Sequence, residues 1–225
     1  MNISYLITIH NEEDSLDKLL NLLCENIGDN DEIVMLDDYS TNEKTVKIIN
    51  KFKLDPNVFY YQTRLNGDFS KHKNFGGKRC TKDFVCQLDA DEYLSQPLLN
   101  NIHEIIDSNP TVELYRVPRV NIVRGATDND ARNWGWHVSK LPEFGDLPII
   151  NWGNGGDYQS RIYKNSLRIQ WHKPLHETIM GASIVADLPK EVDYAIIHDK
   201  TIDRQRSQNE FYNKNWSIKA NMGQI

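Results

Sequence analysis

The sequence has no run approaching the roughly 18 consecutive apolar residues that a membrane-spanning helix needs, so an integral membrane protein is not expected. Its apolar start, ISYLITI, is short and runs straight into NEED, without the basic flank and small-residue cleavage site of a secretory signal. Retention in the cytoplasm is therefore expected, with any membrane contact peripheral. Cysteine is scarce. Cys24, Cys80 and Cys86 are odd in number and lack metal-ligand spacing, which suits reduced packing thiols. Repeats, low-complexity stretches and linkers are absent too, and 225 residues suit a single domain over 1–225.

Positive charge is also in short supply. The net charge is −6; residues 1–110 hold 11 Lys and Arg against 19 Asp and Glu, while residues 111–225 hold 15 against 13. A uniformly basic nucleic-acid binder is disfavoured, although a local basic patch in the second half, with Arg116, Arg119, Arg124 and Arg132, is allowed. Phosphate loops fail on inspection. In HKNFGGKR, His72 stands where a Walker loop needs glycine and Arg79 where it needs Ser or Thr; in GNGGDY, Tyr158 replaces the last glycine of a dinucleotide fingerprint.

What is present is an alternation of periods. Apolar spacing predicts strands at Tyr5–Ile9, Glu32–Asp37, Val58–Gln62 and Phe84–Leu88, interleaved with helices at about 12–26, 42–53, 70–82 and 97–108. Such alternation implies an α/β fold: a doubly wound, mainly parallel sheet with helices on both faces and ligands beyond the carboxyl ends of its strands. After Pro110 the pattern loosens. ELYRVPRVNIV, DYQSRIYK, SLRIQW and DYAIIH read as further strands, and Ile202–Ala220 as a closing amphipathic helix.

Three of the early strands end in polar clusters: Thr8, His10 and Asn11; DDYS at 37–40; and DADE at 89–92. Carboxylates as close as Asp89, Asp91 and Glu92 repel unless a positive charge sits among them or water screens them. A solvated turn is the plain alternative, because Asp favours turns. Thr8, His10 and Asn11 are placed to contact a base or ribose, with Glu12 beside them, and Asp38 to accept from the N–H of a pyrimidine. The carboxylates suit Mg²⁺ or Mn²⁺, which seek oxygen ligands. Trp134, Trp136, Trp152 and Trp171 are candidate stacking walls.

The series LITIHNEE, EIVMLDDYSTNEKT, NGDFSKHKNFGG and DFVCQLDADEYL, in that order and spacing, resembles the N-terminal half of family-2 glycosyltransferases with the GT-A fold. GGDYQSRIYK, LHETI and AIIHDKTIDRQRSQNEFYNKNW resemble elements of the branch that contains lipopolysaccharide-core glucosyltransferases. Two positions depart from the pattern: His10 stands where an aromatic is commoner, and Lys73 where arginine is usual before Asn74. The resemblance implies a nucleotide-sugar-binding half (1–110) and an acceptor-binding half (111–225). It implies inverting, metal-dependent transfer of a sugar from a nucleotide-sugar, a UDP-sugar foremost, to a glycan or lipid-linked acceptor. The donor site implied comprises Thr8, His10, Asn11, Glu12, Asp38, Lys73, Asp89 and Ala90; the metal site Asp89, Asp91 and His198; and the base Asp157, with Glu177 in reserve. A DNA glycosyltransferase acting on a hydroxymethylated base and a non-catalytic nucleotide-sugar binding module are the alternatives.

Overall fold

The computed structural model describes residues 1–153 and 155–215. Its first half runs β1 (Ile3–Ile9), α1 (Asp14–Asn26), β2 (Glu32–Asp37), α2 (Glu43–Phe52), β3 (Val58–Gln62), α3 (Phe69–Gly77), β4 (Phe84–Asp89), β5 (Glu92–Leu94) and α4 (Gln96–Ser108). The second runs β6 (Leu114–Arg124), α5 (Asp128–Trp134), β7 (Val138–Ser139), β8 (Ile149–Ile150), β9 (Asp157–Lys164), β10 (Gln170–His172), β11 (Thr178–Met180), β12 (Val185–Asp187), β13 (Ile196–Thr201) and α6 (Ile202–Asn215). The part of the expected closing helix beyond residue 215 lies outside the described residues.

The main sheet has the strand order β3-β2-β1-β4-β9-β6-β13-β5, while β10 and β11 form a separate hairpin. β1 to β4 are mutually parallel, as the alternation of strands and helices implies. β9 then enters antiparallel between β4 and β6 and joins the two halves in one sheet. β5, which periodicity did not show, is three residues long and pairs antiparallel with β13.

The central strands are apolar on both faces because helices cover both. Tyr5, Ile7, Met35, Cys86 and Leu88 pack with Leu16, Leu20, Leu98 and Ile102 of α1 and α4. Leu6, Val34, Leu36 and Val85 face the other way, towards Phe75 of α3 and Trp171. This second face turns polar near the carboxyl ends, where alternation brings Thr8, Gln87 and Asp89 into the same series. α3 lies unusually close to it. A Cβ on Gly76 would stand 2.6 Å from Leu6 Cδ1 and 3.0 Å from Leu36 Cδ2, so any larger residue would have to displace these buried leucine side chains for α3 to keep its approach.

Candidate active site

The strand tips open into a cleft of about 600 Å³, roofed by α6 through Arg204, Gln205, Gln208 and Tyr212. Thr8, His10, Glu12, Asp38, Lys73, Asp89, Ala90, Asp91, Asp157, Glu177 and His198 all line it. Asn11 does not. With φ at 51°, it turns away, and its Oδ1 accepts from the backbone N–H groups of Thr41 and Asn42, bracing the tips of β1 and β2.

Two neighbouring aspartates divide the work at the tip of β2. Asp37 is buried and saturated, accepting from Ser40 N–H, Ser40 Oγ, Tyr60 Oη and Gln62 Nε2. Asp38 instead faces the cleft. Its Oδ1 accepts from Leu65 N–H at 3.0 Å, and Oδ2 stands 3.7 Å from His10 Nδ1. His10 is held by its neighbours: Nδ1–H donates to the Asp38 carbonyl, while Nε2 accepts from Asn11 Nδ2.

The floor is a row of alternating charges. Glu177 Oε1 accepts from Lys73 Nζ at 2.5 Å, and Lys73 lies 3.6 Å from Asp89. Asp89 takes Arg161 at 2.8 Å; Arg161 also reaches Glu92, at 2.8 Å; Glu92 takes Arg119; and Arg119 holds Asp157 with two N–H bonds. Glu92 and Arg161 are buried, at 1% and 3% exposure, where an unpaired charge would be costly. The row supplies protein cations to two of the three carboxylates of DADE. Arg161 and Lys73 neutralise Asp89, and Arg161 and Arg119 neutralise Glu92.

Both oxygens of Asp89 accept hydrogen bonds from the protein. Oδ1 accepts from Thr8 Oγ1 and Gln87 Nε2, and Oδ2 from Arg161. Burial pushes its pKa up, but Lys73 and Arg161 overcome this and hold it well below the ordinary carboxylate range. Among the described residues no three His, Cys, Asp or Glu side chains form a metal-holding group. Asp91 and His198 do meet: Asp91 Oδ2 stands 3.2 Å from His198 Nε2. Asn121 orients the histidine. Its Nδ2 donates to Asp157, so its Oδ1 accepts from His198 Nδ1–H, and this holds His198 Nε2 at the Asp91 carboxylate. An imidazole nitrogen oriented by an amide beside a carboxylate is a donor set that would fit a divalent ion. Burial raises the Asp91 pKa, His198 lowers it, and the balance is a lowered value.

Asp157 and Arg161, four residues apart on β9, do not pair with each other. The structure gives Arg161 to Asp89 and Glu92, and Asp157 to Arg119. Asp157 Oδ2 also accepts from Asn121, and Oδ1 from Gln159 at 2.6 Å. Burial raises its pKa, but Arg119, Asn121 and Gln159 bring it below the usual value.

Of the four candidate stacking tryptophans, Trp171 lines the cleft, with the Lys73 ammonium 4.6 Å from its ring. Asn74 clamps its backbone, donating to Trp171 O and accepting from Trp171 N–H. Trp134 and Trp136 instead pack on each other and against Val123, Ile150 and Ile202, and Trp152 packs against the cluster of Val120 and Ile122. The proposed basic patch is likewise spent: Arg116, Arg119 and Arg124 pair with Asp187, Glu92 and Asp157, and Asp199. Sequence reasoning missed Arg119, Asn121 and Glu92 as parts of the floor. The spacing of Asp157, Gln159 and Arg161 did carry a signal, since residues two apart on a strand share a face.

Residues 4–167 match Glycosyl transferase family 2, and the chain belongs to this family. It is 32% identical over 95 residues to the undecaprenyl-phosphate 4-deoxy-4-formamido-L-arabinose transferase of Pectobacterium atrosepticum, a match covering 40% of this chain and 29% of that protein. It is 29% identical over 125 residues to the poly(ribitol-phosphate) beta-N-acetylglucosaminyltransferase TarS of Staphylococcus aureus, covering 54% of this chain and 22% of TarS. The chain thus spans less than a third of either relative's length. In structure it is similar to S. aureus TarS 1–349 in complex with UDP-GlcNAc, with a TM-score of 0.62 at 20% identity, over 89% of this chain and 59% of that one. The UDP complex of the same protein gives 0.61. The GT-A type fold is therefore shared. No helix among the described residues is long and apolar enough to cross a membrane.

Proposed function

We propose that this chain, acting as one catalytic unit, is an inverting glycosyltransferase that moves a sugar from a UDP-sugar to a hydroxyl of a glycan or lipid-linked acceptor. One observation supports the reading: Asp38, the Asp91–His198 pair and Asp157, which would serve base, diphosphate and acceptor hydroxyl, all line the one cleft at the strand tips. The relatives support the donor and acceptor classes, since TarS structures hold UDP and UDP-GlcNAc and both matched enzymes are named for glycan or lipid-phosphate acceptors. The finer likeness to lipopolysaccharide-core enzymes rests on Asp157, Gln159, Arg161, Glu177 and His198, all of which face the cleft.

In this mechanism Asp38 accepts a hydrogen bond from the pyrimidine N–H through Oδ2. Lys73, held by Glu177, lies along the ribose side with Trp171. Asp91 and His198 would hold Mn²⁺ or Mg²⁺, and an ion there would offset the charge of the departing nucleoside diphosphate. Asp157 takes the proton of the acceptor hydroxyl as its oxygen attacks the anomeric carbon. The bond from that carbon to the diphosphate oxygen breaks with its electron pair leaving on the diphosphate. Asp157 suits this better than Glu177 because Asn121 places it one amide away from His198, whereas Glu177 sits on the nucleotide side with Lys73.

The test is a panel of UDP-, GDP- and CMP-sugars screened for thermal stabilisation with and without Mn²⁺. A bound ligand at about 100 times its dissociation constant stabilises by about 2.7 kcal/mol. UDP-sugars are expected to stabilise the protein and Mn²⁺ to increase the effect; in Asp91→Asn the Mn²⁺-dependent part should vanish. No stabilisation by any donor would remove the proposal. A second expectation concerns Asp38→Asn, which keeps the acceptor for Leu65 N–H. Its contact is remote from the reacting carbon and similar in ground and transition states, so the donor KM should rise with kcat nearly unchanged. Steady-state kinetics showing the reverse split would place Asp38 elsewhere.

A further inference from the structure

Five lysine and arginine side chains line the cleft: Lys73, Arg119, Arg161, Lys200 and Arg204. Four of them are matched with carboxylates: Lys73 with Glu177, Arg119 with Glu92 and Asp157, Arg161 with Asp89 and Glu92, and Arg204 with Glu12. Lys200 differs. Its Nζ donates to the neutral Gln208 Oε1 at 3.0 Å, and among the described residues it forms no ion pair. It is nevertheless partly buried, and no carboxylate among the described residues stands within ion-pair distance of it. An ammonium so placed, bonded only to a neutral amide, is open to a stronger hydrogen bond from an anion.

Its position says which anion. Lys200 follows His198 by two residues in β13, so both project from the same face of the strand, about 7 Å apart along it. Lys200 also lines an adjoining cavity of about 510 Å³, together with Asp91, Glu12 and Arg204. It therefore stands at the wall between the two spaces, beside the carboxylate that would hold the cation. Strand alternation excludes Asp199 from this group: its carboxylate pairs with Arg124. Glu92 and Asp157 also face this region, but both are already matched by Arg119.

We infer that Lys200 binds a non-bridging oxygen of the donor's diphosphate, with Gln208 of α6 holding the ammonium in place until the donor arrives. This rests on the donor reading above. The ligand class is a nucleoside diphosphate, as distinct from a nucleoside, and the contact adds to that of a cation at Asp91 and His198. Lys200 would thus share in neutralising the leaving group, and donor binding would exchange its link to α6 for one to the phosphate.

The test is calorimetric titration of uridine, UMP and UDP into wild type, Lys200→Met and Lys200→Arg, each with Mn²⁺ and with EDTA. The expected result is a fall of at least about tenfold in the ratio of UDP to uridine affinity in Lys200→Met, in both buffers, with uridine affinity unchanged. Lys200→Arg should restore most of the ratio. The melting temperature of Lys200→Met should not drop, because no ion pair has been removed. An unchanged ratio overturns the inference, as does an equal loss of uridine and UDP binding, which marks a structural residue. A wild-type protein that binds none of the three overturns the donor reading itself, and this inference with it.

Discussion

Asp157→Asn is expected to lower turnover by roughly 10²–10⁴ while leaving donor affinity nearly unchanged. The substitution keeps the size of the side chain and removes its basicity. The fold should tolerate it: Arg119 keeps Glu92 as a charged partner at 2.8 Å, so no buried cation is left alone. Glu177→Gln gives the contrast. It removes the charge that faces Lys73 at 2.5 Å, and its main effect should fall on donor KM. Comparing kcat, donor KM and melting temperature for the two variants separates base from anchor. An Asp157→Asn protein with wild-type turnover would end the assignment, and so would one that melts early and regains activity on cooling.

The second large effect is on stability. Arg161→Met should destabilise the fold by about 3–5 kcal/mol, because Glu92, 1% exposed, and Asp89 lose a cation they share. At 225 residues each kcal/mol moves the melting temperature by about 2–4 °C, so the drop should be about 6–20 °C. Two features favour the lower end. Glu92 retains Arg119, and the Nε–H of Arg161 is buried without a partner among the described residues, so its removal recovers some cost. Adding Glu92→Gln to Arg161→Met should win back part of the loss. A shift under about 1 kcal/mol by urea denaturation would show that the charges of the floor are not energetically coupled.

The four family motifs were legible because each is local. A strand tip, a cap and a helix start lie within a dozen residues, and Asp38, Asp91 and Lys73 come to the cleft with them. What was not legible lies where partners are distant. Nothing in the spacing of Asp89 says that it meets Arg161, 72 residues away. Arg119 looked like surface charge and is part of the floor. Trp134, Trp136 and Trp152 looked like stacking walls and proved to be packing, since aromatic content does not say which face a loop presents.

By itself the sequence determined the strand–helix alternation of the first half and the polar rim of its strands. The reason is geometric: periods of 2 and 3.6 are set by local backbone, and right-handed crossovers between parallel strands leave every strand tip on the same side. The tertiary structure alone decided which charge meets which. β9 enters antiparallel beside β4 and brings Arg161 to Asp89, while β13 brings His198 to Asp91 across 107 residues and leaves Lys200 on the same face without an ion pair among the described residues. Register and insertion order depend on packing of the whole sheet, and electrostatics in a desolvated cleft depends on the neighbours that packing supplies.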